Sequence, residues 1–100
     1  MPTVTLWQRD ALSITVSEGV DGLTFHAQDL APPPMFGDEY EYGFRIAAKD
    51  IPKLVQALGG SAPSEVLELL QASAESVVPN GVESWMKAHD IPVTDVWSWF

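Results

Sequence analysis

The stretch LSITVSEGVDGLTFHAQ, Leu12 to Gln28, decides the fold. Leu12, Ile14 and Val16 point one way and Ser13, Thr15 and Ser17 the other, the period-two pattern of a strand buried on one side. Leu23, Phe25 and Ala27 repeat that pattern against Thr24, His26 and Gln28. Between the two runs lies Glu18-Gly19-Val20-Asp21-Gly22, a turn cluster whose Asp21-Gly22 pair favours a tight hairpin. The stretch therefore predicts an antiparallel pair with one apolar and one polar face.

Working outward, Val4 and Leu6 alternate with Thr5 and Trp7, which predicts an earlier strand paired with the Leu12 run. Downstream, Ala31-Pro32-Pro33-Pro34-Met35-Phe36-Gly37-Asp38 lacks N–H groups at three consecutive positions and reads as an extended connector. A fourth strand follows, with Tyr40, Tyr42, Phe44, Ile46 and Ala48 on one face and Glu39, Glu41, Gly43, Arg45 and Lys49 on the other.

The period then changes. Ile51, Leu54, Val55 and Leu58 share one helical face, with Asp50 placed as N-cap and Gly59-Gly60 as the C-terminal stop. From Ser64 a second stripe runs through Val66, Leu67, Leu70, Ala74 and Val77, while Glu65, Glu68 and Glu75 share the opposite side. Pro79 ends it, and Asn80 with Glu83 reads as a capping box before a third stripe of Val82, Trp85, Met86 and His89. Ile91 to Phe100 is a terminal strand. The order β-β-β-β-α-α-α-β predicts an α+β domain: an antiparallel sheet of about five strands with three helices on one face.

Composition narrows the function. The chain has 100 residues, 46% of them apolar, enough for one compact domain without a metal or disulfide staple. Cysteine is absent, which removes thiolate nucleophiles and Cys-based zinc sites and suits a reducing cytoplasm. No apolar run approaches the length of a membrane span, and no basic segment precedes an apolar one near Met1, so no export or anchoring segment is expected. Fourteen acids against five bases give a formal charge of −9, which repels nucleic acid and anionic lipid.

Candidate chemistry is sparse. Gly59-Gly60 follows a helix instead of joining a strand to one, so it reads as a helix stop and not a phosphate loop. His26 has Asp29 three residues on, the one pair from which a small hydrolytic or isomerising site could be built. His89 precedes Asp90 at a helix end, and neither histidine has a second at metal-ligand spacing, so no metal or cofactor is expected. The cluster Asp38-Glu39-Tyr40-Glu41-Tyr42 places Glu39 and Glu41 beside Arg45, a solvated ion-paired strand face or a recognition surface. Trp97-Ser98-Trp99-Phe100 puts aromatics on both sides of the last strand, with Trp97 and Trp99 sharing a face with Val93, and Val96 and Phe100 sharing the other with Thr94. One set is expected to pack under the helices; the other is covered or forms a protein-binding patch.

The texts DEYEYGFRIAAKDIPKLVQALGG, residues 38–60, and WMKAHDIPVTDVWSW, residues 85–99, resemble a group of small acidic bacterial proteins of unassigned function. Some proteins of this size and charge are immunity proteins of polymorphic toxin systems. The resemblance brings no catalytic motif with it. It bears on the fold more than on the function, and charge carries the functional expectation: a non-enzymatic, immunity-type inhibitor that covers the basic site of a toxin, with Asp38, Glu39, Glu41, Glu65, Glu68 and Glu75 as the contacting acids and Phe36 and Tyr40 as anchors near the interface centre. The alternatives are a module that homodimerises through its terminal strand, and an enzyme using His26.

Overall fold

The structure is a computed structural model that describes residues 2–9, 11–30, 40–79 and 81–99. Five strands form one antiparallel sheet in the order β1-β2-β3-β4-β5: β1 Thr3–Arg9, β2 Leu12–Gly19, β3 Gly22–Asp29, β4 Tyr40–Ala47 and β5 Thr94–Trp99. Between β4 and β5 run the helices α1 Ile51–Ala57, α2 Val66–Ala72, α3 Ala74–Val77 and α4 Val82–Ala88. The expected α+β class is therefore the observed one, with four helices where three stripes are legible. The second stripe divides at Ser73, whose φ of −103° and ψ of 9° interrupt the helix between α2 and α3.

The hairpin at the centre of the sheet forms because its turn needs glycine. Gly22 adopts φ +132°, and a Cβ there would meet Ile46 O at 2.0 Å. Only a residue without a side chain lets β3 start this close to β4. Register then sets Ile14 opposite Ala27, Val16 opposite Phe25, and Phe25 opposite Phe44. All point to the side covered by helices, where the Phe25 and Phe44 rings stack at 4.7 Å. Fully burying side chains of this kind is worth about 1.5–3 kcal/mol each, and the helices supply Leu54, Val55, Val66, Leu70, Val77 and Met86 to the same core.

Helix ends depart in detail from the sequence expectations. Asp50 holds the N-cap position of α1 without a capping hydrogen bond, because Ala48–Asp50 already form a 3₁₀ turn that runs into the helix. For the same reason β4 stops at Ala47. The Gly59-Gly60 stop is as expected: Gly59 adopts φ +86°, its N–H donates to Gln56 O, and the Gly60 N–H donates to Val55 O. Of the expected capping-box pair, Asn80 lies outside the described residues; the N-cap of α4 is Gly81, and Glu83 pairs with Lys87 at 2.8 Å. Its C-terminus repeats the α1 motif, with Asp90 at φ +58° in place of glycine and the buried Ile91 donating to Met86 O. In the third stripe Val82 and Met86 are buried and Trp85 half-buried, whereas His89 is exposed and stacks on Trp85 at 4.0 Å.

The largest departure is β5. Strict alternation places Thr94 and Val96 on one face, but the register pairs Arg45 with Thr94 and Gly43 with Trp97. One residue of β4, Phe44, therefore faces two of β5, Asp95 and Val96, a bulge in which Asp95 adopts φ +50°. Thr94 and Trp97 consequently share a face. Among the described side chains of β5, neither side is buried under the helices: Val96 is 57% exposed and Trp97 37%.

Candidate functional site

Among the described residues no element covers the side of the sheet away from the helices, and register arranges that side in transverse rows. One row runs Thr5, Thr15, His26, Gly43, Trp97 across all five strands. A neighbouring row runs Gln8, Ser13, Gln28, Glu41, and the row on the other side runs Thr3, Ser17, Thr24, Arg45, Thr94. Hydroxyls and amides dominate this face, with charge and aromaticity gathered at the β3–β4–β5 end.

Trp97 owes its seat to Gly43. A Cβ at Gly43 would lie 2.8 Å from Trp97 Cε2 and Cζ2, so the indole rests against the β4 backbone where any other residue would lift it. His26 flanks it, with ring centroids 5.6 Å apart. Glu41, one row along, lies with its Oε2 3.9 Å from His26 Nε2, and Gln28 Nε2 donates to its Oε1 at 3.5 Å. Both distances are long, so the carboxylate is held in place while its lone pairs remain accessible to a further donor. On the other side of the row Arg45 Nη1 pairs with Asp95 Oδ2 at 3.7 Å, which offsets the one guanidinium on this face.

The sequence-nominated residues do not converge here. Phe36, Asp38 and Glu39 lie outside the described residues. Tyr40 is half-buried at the start of β4 on the helix side, its ring 5.2 Å from Tyr42. Burial, reinforced by Tyr40 and Asp29, pushes the Tyr42 phenol above its ordinary value of 10.0. Glu41 is on the open face, whereas Glu65, Glu68 and Glu75 belong to the helix layer on the other side. Glu65 Oε1 accepts the Ala62 N–H at 2.9 Å and so closes the turn before α2. Glu75 pairs with Arg9 of β1 across the layer, and Glu68 stands exposed on α2. The acids therefore divide between two opposite surfaces.

The pairing of His26 with Asp29 fails for a geometric reason. Residues three apart in a strand face opposite sides, so His26 points to the open face and Asp29 to the helix side, where its charge bears on Tyr42. The carboxylate His26 meets is Glu41, from the next strand. The groove between α1 and the following turn, lined by Pro52, Val55, Gln56, Gly60, Ser61 and Pro63, contains no titratable side chain. Among the described residues no group of three or more His, Asp or Glu is placed to hold a metal, and no helix is long and apolar enough to cross a membrane.

Gln28 and Gly43 are the residues that sequence reading passed over. Their signal is parity: even positions of β3 and odd positions of β4 share the polar face. Pairing particular residues across the strands also requires the register, which the connector of residues 31–39 hides. Compared with known proteins, the sequence matches no protein-family model, no curated protein and no solved structure.

Proposed function

We propose that this chain is a non-enzymatic acidic binding protein that engages a basic protein surface through the open face of its sheet. The observation that carries the reading is an exposed aromatic ring near a half-buried carboxylate on the same face, Trp97 seated on Gly43 and Glu41 one row away, in a chain of charge −9. An arginine or lysine side chain over the indole gains a cation–π contact, and its head group gains a charge-assisted hydrogen bond to Glu41. The rows are separated by two residues along β4, about 7 Å, which one guanidinium can bridge. The overall charge adds long-range steering toward a basic partner.

The concrete form of this reading is an immunity-type inhibitor that covers the basic site of a bacterial toxin, for which the acidic charge is the warrant. Of the nominated acids Glu41 becomes the contact residue, and Glu68 contributes to the field from the far side. The chemistry is tested by calorimetric titration of a hexa-arginine peptide against the wild type, Glu41→Lys and Glu68→Lys, which change the net charge equally. Glu41→Lys should weaken binding at least tenfold beyond Glu68→Lys, and Trp97→Ala should weaken it without any charge change. Equal weakening by both charge reversals would reduce the interaction to net charge and remove the site.

A further inference from the structure

We infer that β5 is a self-association edge: it pairs antiparallel with β5 of a second copy, joining the two sheets into one continuous sheet. This rests on different observations from the basic-partner reading and stands or falls separately.

The sheet has two edges, β1 and β5. β1 is guarded by a bulge between Thr5 and Trp7, by Arg9 at its end, and by α2 packed against it. β5 carries none of these guards beyond its opening bulge. It contains neither Lys nor Pro, and residues 94–98 are all exposed. The exposed large apolar residues that lie in strands, Val96 and Trp97, are both on β5 and on opposite sides of the sheet. A ligand docked on one face covers one of them; edge pairing flanks both.

Charge selects the occupant. The one ionisable residue of β5, Asp95, is paired with Arg45, so this edge is close to neutral in a chain of charge −9. The backbone edge itself offers a basic partner no unpaired charge, the basic-partner contact lying on the open face toward Glu41, and a second copy meets less repulsion there than against the acidic helix layer. Register is self-complementary as well. A two-fold axis perpendicular to the sheet must set residues of the same face opposite each other, so it passes midway between a residue and its own copy. Centred on Trp97, the pairing sets that residue beside its own copy and Val96 beside Ser98 of the second copy, using the regular part of β5 that follows the bulge. Both helix layers then lie on one side and both open faces on the other.

Sedimentation equilibrium of the wild type over a range of concentrations and salt is the test. The mass should rise from one protomer to two with concentration, and the dimer should tighten several-fold as salt rises from about 0.05 to 0.5 M, because screening weakens the repulsion between like-charged copies. Val96→Lys, at an exposed position, should keep the protein monomeric where the wild type is half dimeric. The chain has no cysteine, so a single introduced one forms a disulfide only between copies. Opposed antiparallel residues have Cα atoms about 4.5–5.5 Å apart, within disulfide span, so Trp97→Cys should cross-link and Thr5→Cys, on β1, should not. A wild type that stays monomeric at every concentration and salt, or one cross-linked through Thr5→Cys and not Trp97→Cys, would overturn the inference.

Discussion

Gly43→Ala tests the seat of Trp97. At an unstrained strand position alanine in place of glycine is worth about 0.5–1 kcal/mol of added stability. At Gly43 the new Cβ would lie 2.4 Å from Phe25 O and 2.8 Å from two atoms of the Trp97 ring. The Phe25 carbonyl belongs to β3, the central strand, and cannot retreat without disturbing the register on both sides. At these distances overpacking costs about 2–3 kcal/mol, the upper part of its usual range, so the net loss is about 1–2 kcal/mol. For a domain of this size that lowers Tm by roughly 5–15 °C. Thermal unfolding followed by far-ultraviolet circular dichroism reads it directly. Trp97→Ala in the same background removes the ring collision and leaves the carbonyl one, so the double variant should lose less than the sum of the two single losses. A Gly43→Ala protein that melts at or above the wild-type temperature would refute the close contact on which the open-face site is built.

Two further outcomes follow from the backbone and the half-buried phenol. Asp90→Gly should raise Tm by a few degrees, because Asp90 sits at φ +58° where glycine carries no steric penalty; a lower Tm in the same melting assay would assign the carboxylate a role of its own. Tyr42 has its phenol pushed above 10.0, so the folded state binds more protons than the unfolded one as pH rises past 10. Its contribution is fully present below pH 10 and is lost as pH climbs through the folded value. Denaturant midpoints measured from pH 8 to 11 should therefore fall more steeply for the wild type than for Tyr42→Phe, and parallel slopes would rule this linkage out.

The sheet was legible wherever side-chain parity and turn chemistry agree. Leu12 to Ala27 shows this best, because alternation names the buried side and Asp21-Gly22 names the turn. The Gly59-Gly60 stop was legible for a similar reason, since the left-handed conformation after a helix favours glycine. Parity misleads at β5, where the bulge at Asp95 reverses the facing of Val96, Trp97 and Ser98 relative to Thr94. A bulge depends on how two strands meet, and no single residue type announces it; Asp95 is not a glycine. The break at Ser73 is equally quiet, because the apolar stripe runs on through Ala74 and Val77 without interruption.

The site was legible only in part, because it is built across strands. His26 has a carboxylate neighbour in the chain, Asp29, and a different one in space, Glu41. Choosing between them requires the β3–β4 register. Trp97 stands out in the sequence as an aromatic, but its support is Gly43, whose importance lies in having no side chain. The helix acids Glu65 and Glu75 read as one outer stripe with Glu68, yet one closes a turn and the other bridges to β1.

The most direct test of the binding reading is affinity capture from a lysate of the source cells with three baits in parallel, wild type, Glu41→Lys and Glu68→Lys, eluted with stepwise salt and identified by mass spectrometry. The expected result is one basic protein retained by the wild type and by Glu68→Lys, released as salt rises, and missing from Glu41→Lys. Equal retention on all three baits, or a partner that stays bound at high salt, would contradict recognition of a basic protein through the open face.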